Sequence, residues 1–177
     1  GITIAAGLTL TSADAIILDA TNSGISASGA LTLTAQNGVT LNDSLVTGGA
    51  AVIDADSDNN GTGEFNIVAS RALTTNNNTL SITADDLVLS GTLNSGATTT
   101  TILVSNGGTI GLGATAGGMT ISGAELQNIT ATGLIIGDAT TGNITVDGIT
   151  AATSNNITGT VTLNAAADNS SASFVNT

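Results

Sequence analysis

The densest chemistry in this 177-residue chain is the run Asp54-Ala-Asp56-Ser-Asp58-Asn-Asn60-Gly61. Carboxylates at alternate positions can converge on one hard cation when the backbone wraps around it. Calcium takes roughly six to eight oxygen ligands, which loops of this type supply. Asp54, Asp56, Asp58 and Asn60 are therefore candidate metal ligands, with calcium as the cofactor. Glu64 or a backbone carbonyl near Asn60 would complete the shell. The competing reading is a solvated acidic turn. Asp85-Asp86 is a second pair to weigh. Two carboxylates at a set separation can hydrolyse a glycosidic bond, given a groove that holds sugar. Such grooves use aromatic and basic side chains, and this chain has no Trp, Tyr or His. Neighbouring residues on a strand also point to opposite faces, so Asp85-Asp86 reads as an exposed turn.

The absent residue types exclude whole classes of chemistry. Without His, none of the many Ser and Thr has an imidazole to activate it. Without Cys there is no disulfide, thiolate zinc site or thiol nucleophile. Without Lys there is no Schiff base and no phosphate-binding loop of the GK[ST] type. Arg71 is the one basic residue, and it reads as a surface charge or a partner for Asp85 or Asp86. Against it stand 13 acidic residues, for a net charge of −12. Phosphate backbones and anionic membranes are repelled by such a surface, so nucleic acid is excluded as a partner. No run of apolar residues is long enough to span a bilayer as a helix. The chain reads as a non-enzyme.

The elements that carry these residues announce themselves by repetition. Leu8-Thr-Leu10 and Ile16-Ile-Leu18 recur as Leu31-Thr-Leu33 and Val39-Thr-Leu41, each a step of 23 residues on. Leu80-Ser-Ile82 with Leu87-Val-Leu89 recurs as Ile102-Leu-Val104 with Ile110-Gly-Leu112, which places Leu80 over Ile102. Alternation of apolar and polar residues in short runs marks half-buried strands. Between them lie turn formers such as Asn37-Gly38, Asn60-Gly61 and Asn106-Gly-Gly108. A unit this small cannot bury its own apolar face and must stack on its neighbours. The expected fold is all-β: a right-handed parallel β-helix (β-solenoid) of about 22–23 residues per coil. Residues 1–177 form a single β-solenoid, with 54–64 as an acidic loop inserted into it. Composition agrees, because a narrow core of Leu, Ile, Val and Ala does not need the bulk that two Phe residues cannot give.

The segment from Gly29 to Gly49, GALTLTAQNGVTLNDSLVTGG, resembles the degenerate repeats of filamentous-haemagglutinin-like bacterial adhesins. That resemblance implies a right-handed parallel β-helix, export across an outer membrane, and work as a surface stalk or adhesin. No secretion domain accompanies the repeats here. The acidic run 54–61 resembles the start of an EF-hand loop, from which it departs at Asn59, where a glycine is usual, and at Phe65, where Glu is usual.

Together these readings describe a non-catalytic extracellular rod of a bacterial surface protein. The strand-forming segments Ile2-Thr-Ile4 and Phe174-Val175 lie close to the two termini without polar caps, which soluble solenoids require. The chain is accordingly expected to be a fragment of a longer rod, or a subunit joined end to end into a filament. Its expected partners are other copies or adjacent coils of the same protein, and glycans or proteins of host or neighbouring-cell surfaces. The alternative is a calcium-dependent carbohydrate- or surface-binding module.

Overall fold

A computed structural model describes residues 1–21 and 23–176. Short strands dominate it. In the first half they are β1 (Ile2–Ile4), β2 (Leu8–Ser12), β3 (Ile16–Leu18), β4 (Ile25–Ala27), β5 (Leu31–Ala35), β6 (Val39–Leu41), β7 (Leu45–Thr47), β8 (Ala51–Asp54), β9 (Phe65–Ile67), β10 (Ala72–Thr74), β11 (Leu80–Ala84) and β12 (Leu87–Leu89). The second half holds β13 (Thr92–Val104), β14 (Ile110–Gly113), β15 (Met119–Ile121), the helix α1 (Gly123–Gln127), β16 (Ile129–Asp138), β17 (Ile144–Asp147), the helix α2 (Ala151–Ser154), β18 (Val161–Ala165) and β19 (Ala172–Phe174).

This arrangement corrects the expected all-β, right-handed parallel β-helix of 22–23 residues per coil. The strands are parallel, but eleven of them belong to one large sheet. Its order β1-β4-β7-β10-β13-β11-β8-β5-β2 runs out and back through β13, and ends on the strand that follows β1 in the chain. The sheet thus nearly closes on itself as a barrel-like wall, with β16 and β18 attached at β13. Two four-stranded sheets, β12-β9-β6-β3 and β15-β14-β17-β19, and a few short helices complete the fold. Nor is there a constant coil. Leu8 pairs with Leu31, a step of 23, whereas Ala51 pairs with Leu80, Leu93 with Ile129, and Ile110 with Met119. The physical reason is that apolar alternation fixes which face a strand buries but not the length of the turn before the next strand. Longer turns cost little closure entropy.

Register is set by the inward residues. Leu33, Ile53, Ile82, Ile102 and Ile136 stack from strand to strand. All five are fully buried, each adding about 1.5–3 kcal/mol of burial. Leu80 lies over Thr100, not Ile102. That slip of two residues leaves the buried face unchanged, so the sequence pattern cannot detect it.

A buried polar column lies beside this apolar one. Thr47, Thr75, Ser95 and Thr100 are fully buried. Thr47 Oγ1 donates to the Gly49 carbonyl at 2.6 Å, Thr75 Oγ1 donates to the Asn78 carbonyl, and Thr100 Oγ1 donates to Ser95 Oγ at 2.9 Å. These hydroxyls satisfy backbone and side-chain groups that the corners would otherwise leave unpaired. The turn asparagines behave as their type suggests: Asn59, Asn76, Asn77, Asn106 and Asn169 all take positive φ, which Asn tolerates better than most residues.

Candidate functional site

The acidic run forms a corner between β8 and β9, and its two ends are laced into the neighbouring strands. Ala55 N donates to the Thr83 carbonyl, Ser57 N to the Ala35 carbonyl, and Asp85 N to the Gly63 carbonyl. Gly63 is buried so close to the Ala55–Asp56 backbone that a Cβ there would collide with it. Only Asp58, Asn59 and Asn60, with Thr62 and Glu64, are exposed.

The four candidate ligands therefore have separate roles. Asp56 is fully buried and turns inward. Its carboxylate accepts from Asn60 N at 3.1 Å, Gly61 N at 3.0 Å and Ser105 Oγ at 2.5 Å. Asp58 Oδ2 accepts from the Asn60 amide at 2.8 Å, and Thr62 Oγ1 donates to Asn60 Oδ1. Asp54 Oδ1 is buried with no hydrogen-bond partner. Glu64 contributes its carbonyl to Val39 N at 3.0 Å. Among the described residues, no three Asp or Glu side chains are grouped as a metal ion would need.

Electrostatics link this corner to the Asp85-Asp86 turn. Burial pushes the Asp85 carboxyl above its ordinary value of 3.8, and the charges of Asp56 and Asp86 push it the same way. Asp54 is also raised, first by burial; the Asp56 backbone hydrogen bond opposes the shift and the Asp56 charge adds to it. Asp86 is half-buried, not an isolated exposed turn residue. Its Oδ1 accepts from Leu87 N at 2.9 Å and from Thr120 N, on β15, at 2.8 Å. Glu125 Oε1, on α1, accepts from Leu89 N at 3.1 Å. Between β12 and β15, where two sheets stop and start, these carboxylates stand in for the missing strand.

Arg71 is not paired with Asp85 or Asp86, as its lone charge suggested. Its guanidinium lies 3.4 Å from Asp43, and its Nε donates to the Asn42 carbonyl at 2.9 Å. Asp43 also accepts from Ala20 N at 2.7 Å. These residues line a polar cleft of about 480 Å3 with Asp19.

The last unusual surfaces are the first and last layers of strands. β1, β2 and β3 each pair on one side only, with β4, β5 and β6. β18 and β19 likewise pair only with β16 and β17. Ile2, Leu8 and Ile17 are exposed on the first layer, and Val161, Phe174 and Val175 on the last. Beneath the last layer opens an apolar cavity of about 320 Å3, lined in part by Leu112, Leu126, Ile136, Leu163 and Phe174.

These features define a parallel-stranded β protein in which several carboxylates (Asp43, Asp56, Asp86, Glu125) serve as backbone acceptors and much of the exposed apolar surface lies on the first and last strands. Searches against protein-family models, curated proteins and solved structures match nothing. The likeness of Gly29–Gly49 to haemagglutinin-like repeats thus rests on those residues alone. No helix among the described residues is long and apolar enough to cross a membrane. Sequence reasoning missed Ser105, Glu125 and the buried hydroxyls. Of these, only Glu125 left a signal: Ser122-Gly-Ala-Glu125 has the spacing of a capping box, and the box is formed.

Proposed function

We propose that this chain is a non-catalytic structural and adhesive element of a bacterial cell surface, working outside the cell. The observation that supports this best is the use made of its acidic groups. Asp43, Asp56, Asp86, Glu125 and Asp138 all accept backbone N–H groups, which ties them to the scaffold. A carboxylate bound this way holds the fold and is poorly placed to move protons. The small-polar composition and the repeat style of Gly29–Gly49 point the same way, toward a surface that meets glycans or proteins of other cells. In that setting the ladders of buried Leu and Ile supply stiffness, and the polar outer faces supply many weak contacts.

Beads coated with the chain and flowed over bacterial, epithelial and glycan-coated surfaces test this reading. Retention above that of uncoated beads on at least one surface, with no polysaccharide cleaved by the purified chain, is expected. Cleavage of any polysaccharide, or retention on none of the surfaces, overturns it.

A further inference from the structure

We infer that the polar cleft beside Arg71 binds a neutral sugar residue of a glycan. This rests on the adhesive reading above and names the ligand class of one site that would serve it.

Three successive corners build the cleft. They join β3 to β4, β6 to β7 and β9 to β10. The chain takes longer over the first and third, Leu18 to Ile25 and Ile67 to Ala72, than over the second, Leu41 to Leu45. The middle corner is therefore recessed. Its Asn42 is half-buried and its Asp43 buried, whereas Asp19 and Arg71 on either side are exposed. The recess thus lies on the flank of the ladders, between corners.

Its polar groups hold one another in place. Asn42 Nδ2 donates to Asp19 Oδ2 at 3.3 Å, and Arg71 Nε donates to the Asn42 carbonyl at 2.9 Å. Asp43 takes the Arg71 guanidinium at 3.4 Å and Ala20 N at 2.7 Å. Groups fixed in this way lose little freedom when a ligand arrives. Among the described residues, Asp19 Oδ1 and Asn42 Oδ1 accept no hydrogen bond. The guanidinium carries further N–H donors beyond those aimed at Asn42 and Asp43. The hydroxyls of Thr21 and Ser23 line the same space.

This mixture selects the ligand. A sugar hydroxyl both donates and accepts, so neighbouring hydroxyls can give to Asp19 and take from Arg71. The cleft, about 480 Å3, falls within the roughly 300–1,000 Å3 of small-molecule sites. An anion is disfavoured, because Asp19 and Asp43 outnumber Arg71 in a chain of net charge −12. A metal ion is disfavoured, because Asp43 is already paired with Arg71. An apolar ligand would strip water from the charged groups and return nothing. Without Trp or Tyr to stack on the ring, each cleft binds weakly, and many clefts on one surface add by avidity.

Saturation-transfer NMR on the full chain tests this, with glucose, galactose, mannose, N-acetylglucosamine and glucuronate as probes. Transfer to at least one neutral sugar, and less to glucuronate, is expected. Asp19→Ala should weaken that binding about tenfold, and Asp58→Ala, on a different corner, should leave it unchanged. Asp19 is exposed, so the urea midpoint should hold; if it falls, the isosteric Asp19→Asn takes its place. No transfer to any neutral sugar, transfer to glucuronate alone, or undiminished binding by the Asp19 variant overturns the assignment. Beads coated with the Asp19 variant separate this inference from the adhesive reading. Full retention on glycan surfaces removes the cleft and leaves adhesion standing, whereas loss of retention on those surfaces alone supports the cleft.

Discussion

The stack from Ile2 to Leu89 and the stack from Thr92 to Phe174 solve the same problem by different means. In the first, short strands are joined by turns of Gly, Asn and Ser, and strand pairs with strand by backbone alone, with side-chain acceptors such as Asp43, Asp56 and Ser44 confined to the corners. In the second, β13 replaces two strands and the turn between them. Its thirteen residues pair with β10 at one end and β11 at the other, and Gly96, at φ 62, takes the bend between them. There α1 enters the stack, and side-chain carboxylates occupy positions that backbone carbonyls hold elsewhere. The lesson is that parallel ladders tolerate interruption when an acidic side chain accepts the orphaned N–H. The acidic excess thus has a structural use besides its effect on partners.

Breaking the apolar ladder of the first region should have the largest effect. Leu33→Ala, in a fully packed position, is expected to cost about 2–5 kcal/mol in urea unfolding. Leu163→Ala, beside the open cavity, should cost well under half as much, because its atoms are only partly enclosed. Equal losses would mean that the second region is as closely packed as the first. Next comes the splice. Glu125→Ala removes the acceptor of Leu89 N and Ser122 N and should cost about 1–3 kcal/mol. A near-neutral result would show that water replaces the carboxylate without loss.

pH sharpens the contrast through two aspartates. Partial burial pushes Asp138 upward, but the N–H and hydroxyl donors of Thr140 and Thr141 outweigh it and hold the carboxyl below 3.8. Its stabilising contribution is present above the unfolded value and is lost as pH falls through the folded one. Asp85 is raised, so its contribution has the opposite sign: it is present below the unfolded value and lost as pH rises through the folded one. Asp85→Asn should therefore raise the urea midpoint at neutral pH, and Asp138→Asn should lower it. Both differences should shrink toward about pH 3. Matching signs at neutral pH would refute this assignment. The smallest effect is expected at the exposed acidic tip. Asp58→Ala should change stability by no more than about 0.5 kcal/mol, with calcium or with a chelator. A calcium-induced rise in melting temperature that Asp58→Ala abolishes would restore the metal reading.

The sequence made the first layers legible because most of their strands alternate inward apolar with outward polar side chains, Ile17, Val46 and Val52 being outward exceptions. The pairings of Leu8 with Leu31 and Ile16 with Val39 hold residue for residue. Beyond these pairs the step drifts at once, to 20 between Leu31 and Ala51 and 26 between Val39 and Phe65, since turns of different length carry no apolar signal. Thr100 defeats the pattern outright: it sits at an inward position where an aliphatic residue is expected, and its hydroxyl is satisfied only by Ser95, five residues back. The acidic run was visible as chemistry, but its direction was not. Nothing in Asp54–Gly61 says that Asp56 folds inward to meet Ser105, which lies 49 residues away.

Arg71 has one more consequence, for resistance to proteolysis. A protease that requires a basic side chain before its cleavage point finds only the Arg71–Ala72 bond in this chain. Arg71 N donates to the Val68 carbonyl and its own carbonyl accepts from Thr92 N, while Ala72 N donates to Ser44 Oγ. Cleavage needs a segment that can be drawn out of its hydrogen bonds into an extended strand. Here that would mean releasing three contacts to three different parts of the stack. To trypsin-like enzymes, the folded chain presents one bond, and that bond is fastened down.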